Sequence, residues 1–335
     1  MIRVALLSKW HVHAVDYEKE AKENPFIEIH SVWDEDAERG QKWAEELEVP
    51  FEPDYERLLS NPDIDGVIVS TPTDLHTELI LAAARNGKHV FTEKVLAFTV
   101  EECEEILEAV RQNGVEFMIS LPRLTKNYYV YAQQVLDEKL LGTLTMFRCR
   151  VAHNGSVPTK ENPEGWLPER FYNREQAGGG ALIDLGAHPI YLANRLVGEP
   201  TAVTARLESM RNLGVDDHAA VLLEYDSGAL AMLETSFLSY GSPFQLELYG
   251  TEGTLMIEGD SVRLKSSHLD QDGWVTPSEL PDDLPMPMEQ WAESILNGAA
   301  TSISHKDAKL LTLVNQAAAV SHKEEQRVQV KDIKS

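Results

Sequence analysis

The first 120 residues alternate short apolar runs with amphipathic stretches. The apolar runs are typical of buried strands, and apolar residues spaced three and four apart predict helices. Strands are predicted at 2–7, 27–33, 66–70, 89–92 and 115–121. Helices are predicted in the polar stretch that ends at about residue 24 and at 35–47, 76–86 and 99–113. Because strands that alternate with helices require parallel crossovers, residues 1–121 are predicted to form a doubly wound parallel sheet.

After residue 121 the pattern changes. A helix at 128–139 and a long strand at 143–153 precede a proline-rich loop over 154–177, and loops of this length are usually functional or mobile. Strands separated by short turns, typical of a mostly antiparallel sheet, are then predicted at 202–210, 218–225, 229–237, 244–249, 254–257 and 262–265. A connector at 277–287 leads to helices at 288–296 and 306–324. We therefore predict an α/β protein with a second, α+β domain at 122–335.

Length and charge narrow the function classes. A chain of 335 residues is too long for one core, which supports two domains. The net charge of −25 argues against nucleic acid or an anionic membrane as a partner. No apolar run approaches the roughly 20 residues of a membrane span, and the chain opens on a strand pattern without a cleavage signature, so a cytoplasmic location is expected. Cys103 and Cys149 lie far apart and are expected to be reduced core thiols.

The stretch 178–191 (GGGALIDLGAHPIY) combines three flexible glycines with two side chains that can take part in proton transfer. Its three glycines permit a sharp turn and close approach to a ligand. Asp184 and His188 follow four residues apart, so both are predicted on one face of a single helix. A carboxylate beside an imidazole can serve as a general base with its orienting partner. An ordinary amphipathic helix with a capping aspartate and a buried histidine explains the stretch equally well.

The end of the first predicted strand departs from a familiar motif. Ser8, Trp10 and His13 stand where a dinucleotide-binding loop G-x-G-x-x-G has its glycines. The helix N-terminus that follows can still meet a pyrophosphate, although Trp10 would crowd it. His11 and His13 form a His-x-His motif, which also occurs in metal-dependent hydrolases. Two histidines are too few to assert a metal site, so none is predicted, and we expect both to pack beside a cofactor or the sheet edge.

Three further strand ends carry polar groups. Asp34 is positioned to accept a hydrogen bond from an adenosine ribose 2′-hydroxyl, which favours NAD over NADP, or to cap the next helix. Thr71 and His76 offer a hydroxyl and a ring, or simply a turn and a helix start. Lys94 follows Glu93 at the fourth strand end, where a buried lysine is costly unless it is paired or used.

Taken together and in this order, these motifs resemble the Gfo/Idh/MocA family, which includes glucose–fructose oxidoreductase and inositol dehydrogenase. The resemblance covers nearly the whole chain. It rests on Thr71-Pro72 with His76, 87–90 (GKHV), Glu93-Lys94, 178–188, 198–200 (GEP), Asp217-His218, Gly228 and 250–253 (GTEG).

The resemblance implies an N-terminal Rossmann domain that binds NAD, with NADP possible, and a C-terminal domain with a large open sheet. It implies a dehydrogenase that oxidises a hydroxyl of a sugar, inositol or related polyol, or runs the reverse reduction. It also implies a homo-oligomer, a dimer or tetramer, assembled through the C-terminal sheet. No nucleic acid or membrane partner is expected.

The resemblance also implies site residues. Lys94, Asp184 and His188 would be catalytic and would converge on one cleft: His188 takes the hydroxyl proton, Lys94 stabilises the oxygen and Asp184 orients the substrate or the imidazole. The cofactor set would be Ser8, Trp10, His11, His13, Asp34, Thr71, Pro72, His76, Glu93 and Lys94. The substrate set would be Arg123, Tyr128, Trp166, Arg170 and Tyr172, whose aromatic faces and guanidinium groups suit a sugar; anchoring of the surrounding chain explains each equally well.

Three departures from the family pattern indicate a distinct subgroup. The glycine fingerprint is missing, Val95 replaces the proline that commonly follows the lysine, and Tyr191 replaces a frequent aspartate. The missing glycines keep a second hypothesis open, a non-catalytic protein that senses a cofactor or a sugar. A third hypothesis, a metal-dependent hydrolase built on His11 and His13, has the least support.

Overall fold

The computed structural model describes residues 1–333; the last two residues of the predicted second domain lie outside the described residues. The strands in the described chain are β1 (Ile2–Leu7), β2 (Ile27–Trp33), β3 (Gly66–Val69), β4 (His89–Thr92), β5 (Phe117–Ile119), β6 (Leu144–Ala152), β7 (Ala202–Glu208), β8 (His218–Glu224), β9 (Leu230–Ser236), β10 (Gln245–Gly250), β11 (Gly253–Glu258), β12 (Ser261–Ser266) and β13 (Val328–Gln329).

The helices in the same residues are α1 (Ala14–Glu23), α2 (Ala37–Leu47), α3 (Tyr55–Ser60), α4 (His76–Arg85), α5 (Val100–Asn113), α6 (Asn127–Asp137), α7 (Arg174–Ala177), α8 (Ala181–Asp184), α9 (Ala187–Leu196), α10 (Pro287–Asn297) and α11 (His305–Glu324). Among the helices of residues 1–333, none combines the length and the apolar character needed to cross a bilayer. The sequence pattern missed α3, α7 and β13.

The first compact unit comprises residues 1–122 and 285–309. Its five strands are parallel and pair in the order β2-β1-β3-β4-β5, which confirms the predicted doubly wound sheet. Leu7 pairs with Trp33 and Val69, and Val69 pairs with Thr92. The carboxyl ends of these strands therefore lie along one edge, where such sheets bind ligands.

Residues 285–309 pack in this first unit, although the sequence assigned them to the second domain. Trp291 of α10 explains the placement, because its fully buried ring lies 5.9 Å from the ring of Phe91 in β4. A Cβ atom on Gly66 would lie 3.1 Å from the same indole. An apolar sheet face thus takes its cover from a helix distant in sequence, which periodicity could not reveal.

The second compact unit comprises residues 123–284 and the chain from 310 onward. Its eight strands pair in the order β12-β11-β10-β6-β9-β8-β7-β13. Every pair is antiparallel except β6 with β9, so the predicted large, mostly antiparallel sheet is confirmed. α9 packs against β6 and β9, which places this helix on the middle of the sheet.

The glycine-rich stretch does not form the single helix that the sequence predicted. α8 ends at Asp184 and α9 begins at Ala187, with Gly186 between them. Pro189 lacks the N–H that a continuous helix would need, and a Cβ on Gly186 would lie 2.4 Å from the Leu182 carbonyl oxygen. Asp184 and His188 therefore belong to two consecutive short helices, not to one face of one helix.

Candidate functional site

At the end of β1, Ser8 retains the backbone conformation of the missing first glycine. Its φ of +73° lies in the left-handed region, which only glycine enters freely. The Ser8 hydroxyl accepts the Trp10 N–H at 3.0 Å, and the Trp10 side chain is buried. The His11 N–H donates to the Ser70 carbonyl at the end of β3. The loop therefore has a left-handed residue at the position of the first glycine and a buried tryptophan at the position of the second.

At the end of β2, the Asp34 carboxylate is fully buried and accepts four hydrogen bonds. One oxygen accepts the Lys9 N–H at 2.8 Å and Nε of Arg39 at 2.9 Å; the other accepts the Asp36 N–H at 2.9 Å and Nη2 of Arg39 at 2.5 Å. Asp36, not Asp34, caps α2 by accepting the N–H groups of Glu38 and Arg39. A ribose hydroxyl must therefore compete with Arg39 for Asp34.

At the end of β3, Thr71 is 1% exposed, and its hydroxyl oxygen has no hydrogen-bond partner within residues 1–333. Nearby His76 starts α4, and its Nδ1 contacts the carbonyl oxygens of Val95 and Leu96 at 3.0 and 3.2 Å. Burial lowers the pKa of His76, against the raising effect of the Leu96 carbonyl. The Lys94–Val95 peptide bond is cis.

At the end of β4, Glu93 gathers side chains from the loop and the first turns of α1. Its Oε2 lies 3.0 Å from Nδ1 of His13 and 3.5 Å from Nδ1 of His11, and it accepts the hydroxyl of Tyr17. Its Oε1 accepts the Lys94 N–H at 2.9 Å. Burial opposes ionisation of Glu93, but the attraction of His11, His13 and Lys94 together outweighs burial and holds its pKa well below the ordinary value.

This edge of the first unit has features that suit a dinucleotide, although its first loop lacks the usual glycines. Ser8 preserves the turn, α1 begins directly after the loop, and the Thr71 hydroxyl is a buried polar group that a ligand can satisfy. The cofactor residues predicted from the sequence, Ser8, Trp10, His11, His13, Asp34, Thr71, Pro72, His76, Glu93 and Lys94, all follow the ends of β1 to β4.

In the second unit, Asp216 fixes the start of the glycine-rich stretch. Its carboxylate oxygens accept the N–H groups of Gly180 at 3.0 Å and Leu182 at 2.8 Å, and its carbonyl accepts the Ala181 N–H at 2.8 Å. A Cβ on Gly180 would lie 1.8 Å from the Asp216 carbonyl oxygen. Close approach at Gly180 thus sets the direction of α8, which carries Asp184.

His188 has a buried partner on its own helix. Its Nδ1 lies 2.8 Å from the Tyr191 hydroxyl oxygen, and that oxygen also accepts the Arg123 N–H at 3.2 Å. Tyr191 is fully buried, and burial raises its pKa, so the phenol stays neutral. The Arg123 guanidinium donates to the Tyr128 hydroxyl at 3.2 Å and lies 4.5 Å from the Phe244 ring centroid. In this chain a tyrosine thus supplies the contact that orients the imidazole.

A cleft of about 920 Å³ brings together three predicted substrate residues, Trp166, Arg170 and Tyr172. Trp166 is 54% exposed, and its ring lies 4.6 Å from the ring of His153. The Tyr172 hydroxyl lies 2.7 Å from Oγ of Ser156, so it also anchors the loop. The lining of the cleft includes neither Arg123 and Tyr128 nor the predicted catalytic residues of this unit.

The structure adds four residues that the sequence analysis did not assign to these sites, although it noted Tyr191 as a departure from the family pattern. Tyr17 contacts Glu93, Arg39 contacts Asp34, Tyr191 contacts His188, and Asp216 anchors Gly180. The i, i+3 spacing of His188 and Tyr191 on one helix was a readable signal for that pair. Tyr17 with Glu93 and Gly180 with Asp216 join positions far apart in the sequence, and no sequence signal indicated these two pairs.

Two family models match the chain. Residues 9–121 match the oxidoreductase family with an NAD-binding Rossmann fold, and residues 129–256 match the GFO/IDH/MocA C-terminal domain. The two matches fall in the two compact units in turn.

Curated relatives agree with these matches. The chain is 28% identical over 310 residues to scyllo-inositol 2-dehydrogenase (NAD(+)) of Bacillus subtilis (strain 168), covering 88% of this chain and 83% of that protein. It is 30% identical over 233 residues to 1,5-anhydro-D-fructose reductase of Ensifer adhaerens, covering 68% of each chain. In two other relatives, an uncharacterized oxidoreductase of Bacillus subtilis (strain 168) and a levoglucosan dehydrogenase of Pseudarthrobacter phenanthrenivorans, the match spans 66% and 64% of the relative's length, slightly less than two thirds.

A solved structure shares the fold across both units. Levoglucosan dehydrogenase in complex with NADH and levoglucosan superposes with a TM-score of 0.83 at 23% identity, covering 98% of this chain and 99% of that one. At this identity the likeness supports the fold alone.

Proposed function

Because the chain belongs to the Gfo/Idh/MocA oxidoreductase family and has an NAD-binding Rossmann domain, we propose that it is an NAD-dependent dehydrogenase of a sugar, inositol or related polyol. The observation that carries the proposal is the contact between Nδ1 of His188 and the Tyr191 hydroxyl. This contact fixes the orientation of the imidazole, a group that can exchange a proton with a substrate near neutral pH.

Each predicted catalytic residue has one task in this proposal. His188 takes the proton from the reacting hydroxyl in oxidation and returns it in reduction. The Lys94 ammonium donates a hydrogen bond to that oxygen and stabilises the negative charge that develops on it. Asp184 orients the substrate. The nicotinamide, when bound, accepts or supplies the hydride at the same carbon.

Tyr191 positions His188 in place of the aspartate that family members often carry there. A neutral phenol adds no negative charge beside the imidazole, so it stabilises the protonated ring less than a carboxylate would. The Arg123 N–H fixes the phenol oxygen from its other side. We therefore propose that the subgroup controls the basicity of His188 through a neutral partner.

Substrate contacts are proposed for two groups of residues. Trp166, Arg170 and Tyr172 line one cleft, where an exposed aromatic face can stack on a sugar ring. Arg123 and Tyr128 form a second group beside Tyr191. A guanidinium and a phenol suit hydroxyl or carboxylate oxygens.

A nicotinamide absorbance assay on a panel of sugars, inositols and glycosides tests the function, with NAD and NADP run in parallel. We expect turnover on at least one class of polyol and its loss in Lys94→Ala and His188→Ala. Full turnover by either variant would remove that residue from the mechanism. His218→Ala is the matched control, since its Nδ1 pairs with Asp217 at 2.7 Å, outside the proposed catalytic set.

A second candidate, a cofactor- or sugar-sensing protein without turnover, is favoured by the buried Trp10 in the loop and by the four hydrogen bonds on Asp34. Calorimetry separates the two functions. NAD binding without turnover on the whole panel supports the sensor, and no NAD binding contradicts the dehydrogenase. Assembly of a homo-oligomer through the C-terminal sheet and a cytoplasmic location stay predictions.

A further inference from the structure

We propose that His11, His13 and Glu93 form a binding site for a divalent transition-metal ion, such as Zn²⁺ or Co²⁺. The sequence offered only a His-x-His pair, and the fold adds a third ligand from a position 80 residues away. In the described chain, one ligand atom from each of these residues lies within 4.8 Å of the others. Two imidazoles and a carboxylate are a set that transition metals favour.

The distances suit a metal centre. Donor atoms about 2.1 Å from a tetrahedral Zn²⁺ lie about 3.4 Å from one another. Nδ1 of His13 and Nδ1 of His11 lie 3.0 and 3.5 Å from Oε2 of Glu93. These two distances bracket the value expected for ligands of a tetrahedral ion.

The contacts of His11 also hold its Nδ1 within the cluster. This nitrogen accepts the His13 N–H at 3.2 Å and lies 3.5 Å from a carboxylate oxygen of Glu93. A cation bound here would take both the nitrogen and the carboxylate oxygen as ligands.

The residues around the cluster also suit a metal centre, because they hold the ligands in place and leave access from solvent. The Tyr17 hydroxyl and the Lys94 N–H hold the two oxygens of Glu93, as outer contacts commonly hold metal ligands. The His11 and Glu93 side chains are 6% and 2% exposed, whereas that of His13 is 39% exposed and leaves a path from solvent.

A bound ion would place positive charge at the carboxyl ends of β1 and β4. This is the edge at which parallel sheets bind phosphate groups, and the loop there lacks the usual glycines. The site is defined by side chains of the first unit alone. Its test therefore needs neither NAD nor a substrate, and a failure of the proposed dehydrogenase function would leave its result standing.

Co²⁺ titration of the chelator-treated full-length protein tests the proposal by visible absorption and calorimetry. We expect one equivalent of Co²⁺ with ligand-field absorption, displaced by Zn²⁺. His13→Ala and Glu93→Gln should each weaken Co²⁺ binding by at least about 100-fold. His268→Ala, which removes an exposed histidine 2.5 Å from Glu252, is the matched control and should bind as the unaltered chain does.

Two outcomes would overturn the proposal: no Co²⁺ binding at millimolar concentration, or unchanged stoichiometry and affinity in His13→Ala. The second would mean that His11 and His13 only neutralise Glu93. Circular dichroism checks the fold of each variant. If Glu93→Gln fails to fold, the half-buried His13 in the loop decides the question through His13→Ala and His13→Asn.

Discussion

Replacing Gly180 with alanine tests whether close backbone approach, and not flexibility, explains the glycine run. The added Cβ would lie 1.8 Å from the Asp216 carbonyl oxygen and 2.8 Å from its carbon. Both are backbone atoms, so no side-chain rotation relieves the overlap. The segment must move by more than 1 Å, by comparison with an ordinary contact of about 3.4 Å.

The magnitude follows from the hydrogen bonds that such a movement breaks. Two N–H groups donate to the Asp216 carboxylate and one donates to its carbonyl. Bonds to a charged group contribute about 1.5–3 kcal/mol each and a neutral one about 1 kcal/mol, so we expect Gly180→Ala to lose about 4–7 kcal/mol of unfolding free energy. Because α8 carries Asp184, turnover should fall at least about 100-fold in any folded fraction.

Gly179→Ala is the matched control on the neighbouring residue. Its nearest neighbour would be the Ile183 side chain at 3.3 Å, which can adjust, and we expect a change below about 1 kcal/mol. Urea denaturation followed by circular dichroism gives both values. Equal stability of the two variants would refute the reasoning, because it would mean that the backbone at Gly180 yields without loss.

Three further results are expected. Tyr191→Phe should lower kcat about 10- to 100-fold and move the pH profile of kcat, because His188 loses its partner; an unmoved profile would argue against that role. Arg39→Ala should raise the preference for NAD over NADP about tenfold in kcat/KM, because it frees Asp34 for a ribose hydroxyl and removes a cation that suits a 2′-phosphate; an unchanged ratio would contradict this. Burial above all raises the pKa of Glu20 from 4.5 to about 7. Between pH 4.5 and about pH 7 the folded chain therefore keeps a proton on Glu20 that the unfolded chain has released. Because of this difference, the contribution of Glu20 to the free energy of unfolding falls as the pH rises through that range. In urea titrations, Glu20→Gln should therefore have the same free energy of unfolding as the parent near pH 4. At pH 8 the variant should be about 2 kcal/mol more stable, after allowance for the partial exposure of Glu20. Equal stability of the two proteins at pH 8 would contradict the raised pKa of Glu20.

Local signals predicted much of the fold correctly. β1, β2 and β4 begin and end at the predicted residues, because each is a short apolar run between polar breaks. α5 also follows its sequence cues, with a capping box from Thr99 to Glu102 and Gly114 in the left-handed conformation after its end. Such features depend on neighbours within a few residues, which the sequence displays directly.

The candidate site was predicted only in its components. Position after a strand identified Asp34, Thr71 and Lys94, but not the state of each group. Arg39 donates a hydrogen bond to the Asp34 carboxylate, and the Thr71 hydroxyl is buried without a hydrogen-bond partner in the described chain. These facts depend on packing between elements, which periodicity does not encode.

By itself the sequence determined the alternation of elements, the parallel and antiparallel character of the two sheets, and the residue types at the strand ends. Only the tertiary structure decided that Glu93 joins His11 and His13, that Tyr191 holds His188, and that residues 285–309 pack in the first unit. The physical reason is the distance along the chain over which each effect acts. Backbone propensity and apolar spacing act over a few residues, whereas hydrogen bonds and ion pairs between side chains depend on distances that exist only after folding.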